Sequence, residues 1–347
     1  MKHLIEIYKK QRKYSQLSRR YSHQYAFIGI GNHSLNNLYP VLEYMGVPVK
    51  YVITASNKTA EVLNQASKKY TAVNDPEHAL NDHEIQGVFI SASPDSHYNL
   101  CSKALKKHKS VFVEKPPCRN LNELEKLISL EKETKQNVVV GMQKRYAPAC
   151  SVLKKKLKCP EHYTLRYCTG AYPEGEDILT ELFIHPVDLI TFLFGKAKLV
   201  SLIQTNKTLL IQVVHENGII GALELSTAYA WQMAHEQLTV VEEKGIYELN
   251  NLSELLYKKK PLLLGNIPFD KIVKFNPVTE ILFNQNTFQP VMQHNNIYVN
   301  GFYSELETFI SICEHPESAK NYSGLISLKP TYELLDEIRN SININRK

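Results

Sequence analysis

Five short, largely apolar runs dominate the first 145 residues: "YAFI" from Tyr25, "VPVKYVITAS" from Val47, "VFISAS" from Val88, "SVFV" from Ser110 and "NVVVGMQ" from Asn137. Helical apolar spacing, as at Leu35, Leu38, Val41, Leu42 and Met45, or at 121–134, fills much of the chain between them. Strands that lack polar alternation are buried on both faces, which a parallel sheet covered by helices on either side provides. Such a sheet takes ligands beyond the C-terminal ends of its strands. Gly29, Gly31, Thr54, Ser93, Pro94, Lys115 and Gln143 fall at those ends. The pattern therefore predicts a nucleotide-binding sheet.

The first strand runs into Gly29-Ile30-Gly31, and Ser34 stands where a third glycine or alanine would complete the dinucleotide-binding turn. Two glycines let the backbone turn tightly and approach a pyrophosphate, which the N–H groups of the following helix would hold. Short glycine turns also follow strands for purely structural reasons. The second strand, 47–56, ends in Thr54-Ala55-Ser56-Asn57-Lys58, without the acid that would bind both adenosine ribose hydroxyls. No carboxylate there repels a 2′-phosphate, and Ser56 and Lys58 are able to receive one. The expected cofactor is NADP(H) in preference to NAD(H), although no arginine supports it.

Composition excludes several other classes. Apolar residues make up 43% and charged residues 22%, the balance of a globular protein, and no run reaches the ~18–20 apolar residues of a membrane span. Six cysteines form no C-x-x-C pair, so free thiols in a reducing cytoplasm are expected. The net charge of +6 resides in residues 1–20, where Lys2, Lys9, Lys10, Arg12, Lys13, Arg19 and Arg20 face only Glu6. With Leu4, Ile7, Tyr14, Leu17 and Tyr21 this segment reads as an amphipathic basic arm, packing on the protein or on a sister subunit. The rest of the chain is neutral, and neither nucleic acid nor membrane is an expected partner.

"ELFIHPVDLITFLFG", Glu181–Gly195, sets Glu181, His185 and Asp188 at helical spacing in an apolar segment. That face suits acid–base chemistry. It equally suits the polar side of an amphipathic helix, or a carboxylate–histidine metal set. No second histidine stands close by, and no metal is expected.

"FIGIGNHS", "SASPDSH", "VFVEKPP", "VGMQKRYAPA" and "ELFIHPVDLITFLFG" together resemble, in order and spacing, the Gfo/Idh/MocA oxidoreductases. The resemblance implies an α/β fold: an N-terminal Rossmann domain, here 23–146 after the arm 1–22, and a C-terminal α+β domain, 147–347. The second domain would have a large, mostly antiparallel sheet that carries substrate and builds a dimer or tetramer. Cofactor contacts are then expected at Gly29, Gly31, Asn32, His33, Thr54, Ser56, Lys58, Ser93, Pro94, His97, Glu114, Lys115 and Gln143. The resemblance places Lys115 near the nicotinamide and the reacting carbon as polarising cation, and makes His185 the acid/base. Glu181 stands where the family has aspartate and keeps a carboxylate on a longer arm. Asp188 would orient His185 or close a polar cluster. Arg145, or Lys144 beside it, and Tyr172 are substrate candidates, with a structural salt bridge and surface packing as their plain alternatives. Trp231 suits core packing better than sugar stacking.

The implied activity is hydride transfer between a nicotinamide and a carbinol or carbonyl carbon of a sugar, nucleotide-sugar or cyclitol. Reduction of an imine or conjugated bond, glycoside cleavage through tightly held NAD, and dinucleotide-bound regulation without catalysis are the competing readings.

Overall fold

A computed structural model describes residues 2–17, 21–173, 175–261, 263–265, 267–271, 273, 278–289 and 291–344. Contacts divide the chain into two units. The first comprises 1–113, 130–138 and 306–321; the second comprises 114–129, 139–305 and 322–347. The basic arm is helical over Lys2–Leu17 (α1), whose Leu4, Ile5, Tyr8 and Tyr14 are exposed, while Arg19 and Arg20 lie outside the described residues.

The apolar runs become β1 (Gln24–Ile28), β2 (Val49–Ile53), β4 (Ile85–Ile90), β5 (Ser110–Glu114) and β6 (Val138–Gly141). A short edge strand, β3 (Thr71–Val73), joins them in a six-stranded sheet ordered β3-β2-β1-β4-β5-β6. The pairs β1–β2, β2–β3, β1–β4 and β4–β5 are parallel. Chain order reverses between β1 and β4, the place where a doubly wound sheet opens a ligand crevice. The longer helices between and after these strands are α2 (Tyr39–Met45), α3 (Asn57–Ala66), α4 (Pro94–Lys106) and α5 (Leu121–Thr134).

Register fixes the core of the first unit. Phe27 lies opposite Phe89, and Phe89 opposite Phe112, so three aromatic rings form a row across β1, β4 and β5. Phe27 stacks on Phe89 with ring centres 6.0 Å apart, and Phe309 meets Phe89 edge-on at 5.0 Å. All four are fully buried.

The second unit holds α6 (Pro148–Lys156), α7 (Ile184–Phe194) and an eight-stranded sheet. Its strands are β7 (Pro160–Cys168), β8 (Ala197–Gln204), β9 (Thr208–His215), β10 (Ile220–Ser226), β11 (His235–Glu242), β12 (Gly245–Asn250), β13 (Glu254–Lys259) and β14 (Thr279–Asn284). They are ordered β14-β13-β12-β11-β7-β10-β9-β8, and only β7–β10 is parallel among the pairs. The expected α/β fold with a mostly antiparallel second sheet is present. Hairpins turn at Gly218, which has φ +87°, and between Glu242 and Gly245. Strict alternation along β9 buries Leu209, Ile211 and Val213, while Leu210 and Val214 face outward beside exposed Ile203 and Ile220. The helices α8 (Phe302–Glu314) and α9 (Lys329–Ile344) complete the chain, α9 packing on β8 and α7. Among the described residues no helix is long and apolar enough to cross a membrane.

Candidate active site

The first unit gathers three turns at the C-terminal ends of adjacent strands β2, β1 and β4. Gly29 has φ +96° and donates its N–H to Ile53 O at 2.8 Å; a Cβ there would lie 2.4 Å from Ser91 O. Only glycine fits both demands. Gly31 is different: a Cβ on it would meet nothing within 4 Å. That open space above the second glycine fits the close approach of a pyrophosphate, as the dinucleotide turn requires. Ser34, at the third-glycine position, closes the turn by accepting from Gly31 N at 2.8 Å and donating to Gly31 O at 2.9 Å. A π turn, Ser34–Leu38, then leads into α2. Asn32 and His33 are exposed on this turn.

The second turn carries more structure than its sequence suggested. Ser56 caps α3, accepting from Thr59 N at 3.2 Å, and buried Thr54 donates to Ser56 O at 2.8 Å. Exposed Lys58 sits in the first turn of that helix, so the helix N-terminus and an ammonium stand together after β2. In the third turn Ser93 precedes Pro94, the first residue of α4. His97 is buried, with Nε2 3.0 Å from Ala92 O, so the imidazole braces its own turn.

Glu114, Lys115 and Gln143 belong to the second unit. Lys115 follows β5 and is half-buried; its Nζ donates to the main-chain oxygen of Glu181 at 2.7 Å. Burial pulls its titration below the ordinary lysine value, a shift enhanced by Lys144 and opposed by Glu114 and Glu181. The local backbone explains the contact. Residues Leu179–Phe183 form a π turn ahead of α7, and in its five-residue register the Glu181 carbonyl would look to Pro186, which has no N–H. The lysine ammonium takes that oxygen instead.

Glu181 thus stands on the π turn and His185 on α7, rather than both on one regular helix. Glu181, His185 and Asp188 are 8%, 9% and 2% exposed, which overturns the alternative of a solvated polar face. The Glu181 carboxylate accepts from Arg119 Nη1 at 2.6 Å and from the Tyr172 hydroxyl at 3.2 Å. Burial, and then the Glu181 and Glu176 carboxylates, push Tyr172 well above the usual phenol range. Arg119 was not singled out in the sequence. It follows two prolines in a loop, with no periodicity to mark it. Trp231 is not a core residue: it is 59% exposed, and its indole donates to Ala171 O at 3.2 Å, beside Tyr172.

Arg145 and Asp188 find each other. Nε and Nη2 of Arg145 bond the two Asp188 oxygens at 2.8 and 2.5 Å, and both side chains are 2% exposed. The remaining guanidinium N–H groups serve Tyr322 O, Ser327 Oγ and Ser327 O, so all five donors are used within the protein. Thr331 donates to Asp188 at 3.0 Å. Burial drags Lys144 down, but Glu236, with both oxygens 2.6 Å from Nζ, prevails and the net shift is upward. Gln143 is half-buried at the start of the turn Gln143–Tyr146.

Glu114 ends β5 with its carboxylate over Gly141, where a Cβ would come within 3.0 Å. Glu305 on α8 is fully buried, and neither of its carboxylate oxygens has a hydrogen-bond partner among the described residues. Burial first, and the Glu114 charge second, push its titration well above the carboxylate range.

Residues 23–142 match the Gfo/Idh/MocA profile, described as an oxidoreductase family with an NAD-binding Rossmann fold. Over 177 residues the chain is 26% identical to the YceM protein of Salmonella typhimurium, covering 48% of this chain and 57% of that one. It is 22% identical to inositol 2-dehydrogenase of the same organism, over 60% of this chain and 68% of that one. Among solved structures, a dehydrogenase from Chromobacterium violaceum superposes with TM-score 0.78 at 20% identity, covering 94% and 97% of the two chains. A 3-ketoreductase from Actinomadura kijaniata, in complex with TDP-benzene and NADP, gives 0.70 at 12% identity over 92% and 97%. An Agrobacterium radiobacter oxidoreductase in complex with NAD+, L-tartaric acid and magnesium gives 0.72 at 13% over 92% and 96%. Both dinucleotides thus occur within this fold.

Proposed function

We propose, from the premise that the chain belongs through residues 23–142 to the Gfo/Idh/MocA oxidoreductase family, that it interconverts a carbinol and a carbonyl on a sugar, nucleotide-sugar or cyclitol. The observation that carries this reading is Lys115, an ammonium held half-buried by the main-chain oxygen of Glu181, with the Glu114 and Glu181 carboxylates acting on it. Among the described residues its one side-chain hydrogen bond goes to a neutral carbonyl rather than to a carboxylate.

The nicotinamide, when bound, accepts or supplies the hydride. The chain's part is to hold the dinucleotide through the Gly29–Gly31 turn and the main-chain N–H groups that follow it, and to manage the proton. In the oxidising direction His185 takes the hydroxyl proton as the carbonyl forms, and an imidazole with an ordinary pKa of about 6.5 suits that exchange near neutrality. Lys115 hydrogen-bonds the same oxygen and stabilises the negative charge that develops there. Glu181, tied to Arg119 and Tyr172, supplies the supporting carboxylate. A polyhydroxylated substrate fits a cluster built from donors and acceptors, and the inositol 2-dehydrogenase relatives act on such a molecule.

NADP(H) is preferred on the strength of Lys58 and the α3 N-terminus after β2, where no carboxylate would repel a 2′-phosphate. A homo-oligomer would cover the outward face of the large sheet with its exposed Ile203, Leu210 and Ile220. A reducing compartment suits the free cysteines, five of them buried.

The test combines a thermal-shift titration of NADPH and NADH with a screen of inositols and sugars in both directions, read by nicotinamide absorbance. A shift with NADPH at lower concentration than NADH, and turnover of a polyol, support the reading. No shift with either dinucleotide in protein shown to be cofactor-free would overturn it.

A further inference from the structure

Glu181 presents two acceptors of very different strength within one residue. Its main-chain oxygen meets Lys115 Nζ at 2.7 Å, while its carboxylate is turned to Arg119 Nη1 at 2.6 Å and the Tyr172 hydroxyl at 3.2 Å. A free carboxylate on this residue would pair with the ammonium, because two full opposite charges attract more strongly than an ammonium and a neutral carbonyl dipole. The half-buried setting, with side-chain exposures of 31% for Arg119 and 10% for Glu181, strengthens that preference. Something must keep the carboxylate off the lysine, and Arg119 occupies it.

Arg119 is itself fixed from behind. Its N–H donates to Glu123 Oε2 at 2.8 Å, while Asn120 Oδ1 accepts from Glu123 N at 3.0 Å. This reciprocal cap at the start of α5 resembles a capping box and pins the arginine backbone. Tyr332 holds the preceding residue through its hydroxyl, which donates to Cys118 O at 2.8 Å.

We propose that Arg119 is a positioning residue that sequesters the Glu181 carboxylate, so that the Lys115 ammonium stays unpaired by that carboxylate and directed to a substrate oxygen. The charged groups that act on Lys115 are Glu114 beside it at the end of β5, Glu181 from the π turn and Lys144 from the turn after β6. Lys144 is committed to Glu236. Glu181 is therefore the acid whose placement Arg119 controls. The ammonium's depressed titration accords with a carboxylate held aside rather than in contact.

This inference rests on the proposed role of Lys115 for its meaning in catalysis, but its test does not need a substrate. Competitive labelling with an amine reagent across a pH series, read by peptide mass spectrometry, yields the Lys115 pKa directly. In Arg119→Met the released carboxylate should pair with Lys115, raising that pKa and slowing its labelling at least severalfold at a fixed pH. Arg119→Lys should stay close to the parent. Replacing the acid as well, in the double variant Arg119→Met/Glu181→Gln, should bring the Lys115 pKa back to the parent value or below. Where turnover is measurable, the alkaline limb of kcat should move with the labelling pKa through the same series. A folded Arg119→Met protein with an unchanged Lys115 pKa would overturn the proposal, and so would a double variant that retains the raised value. If labelling follows the prediction while no hydride transfer is found, the functional reading fails alone; if turnover is found and labelling is flat, this inference fails alone.

Discussion

Replacing Asp188 with asparagine should destabilise the second unit more than any other single isosteric change in the cluster. The carboxylate and the Arg145 guanidinium are each 2% exposed and joined through two bonds of 2.8 and 2.5 Å. Asparagine keeps the shape and much of the hydrogen bonding but leaves the guanidinium buried without a counter-charge. Breaking a buried pair in this way costs about 3–5 kcal/mol. For a unit of this size each kcal/mol lowers the melting temperature by roughly 2–4 °C, so a fall of about 6–20 °C is expected. Thermal melting and urea titration of parent, Asp188→Asn and Arg145→Met would measure it. The double variant Arg145→Met/Asp188→Leu should recover most of the loss, because it removes both buried charges together. If Asp188→Asn melts within about 2 °C of the parent, or the double variant is no better than the worse single one, the pair is not the buried electrostatic lock described.

Three further outcomes follow from other parts of the chain. Glu305, whose native titration lies well above that of an unfolded glutamate, keeps a proton that the unfolded chain releases above about pH 4.5. The stability this provides is present in acid and lost as pH rises toward the native value; Glu305→Gln should flatten the decline in melting temperature as pH rises above the unfolded-state value, and an unchanged slope would contradict the assignment. Gly29→Ala places a Cβ 2.4 Å from Ser91 O at φ +96°, so it should lower stability by at least the ~1–2 kcal/mol of left-handed strain and abolish the dinucleotide-induced thermal shift; a normal shift would show that the turn does not hold the cofactor. Lys58→Glu should weaken NADPH binding far more than NADH, read by the same titration, and equal losses would remove the argument for the 2′-phosphate.

The first sheet was legible because burial on both faces leaves unbroken apolar runs, and β1, β4, β5 and β6 fall on them. The edge strand β3 and the helix α3 were not legible: Thr71–Val73 is only three residues long, and reading Thr54–Lys58 as the end of the second strand leaves Asn57–Ala66 without an element. Periodicity also marked Glu181, His185 and Asp188, but it could not tell a buried cluster from a wet helix face. What the pattern lacks is the partner of each charge. Arg119 reaches Glu181 across 62 positions and Arg145 reaches Asp188 across 43. Nothing local encodes either meeting. Glu305 shows the limit from the other side: "FYSELETFISIC" carries two acids, Glu305 and Glu307, and nothing in the helical pattern marks the first as fully buried.

In the proposed reaction Lys115 supplies the charge that stabilises the substrate oxygen during hydride transfer. The most direct measurement of this role is the turnover of Lys115→Met beside the parent, with dinucleotide affinity determined on the same samples. In Lys115→Met kcat should fall by at least about a hundredfold, in line with the loss of one electrostatic stabiliser, while cofactor affinity changes little. A Lys115→Met protein that binds cofactor normally and turns over at the parent rate would contradict it.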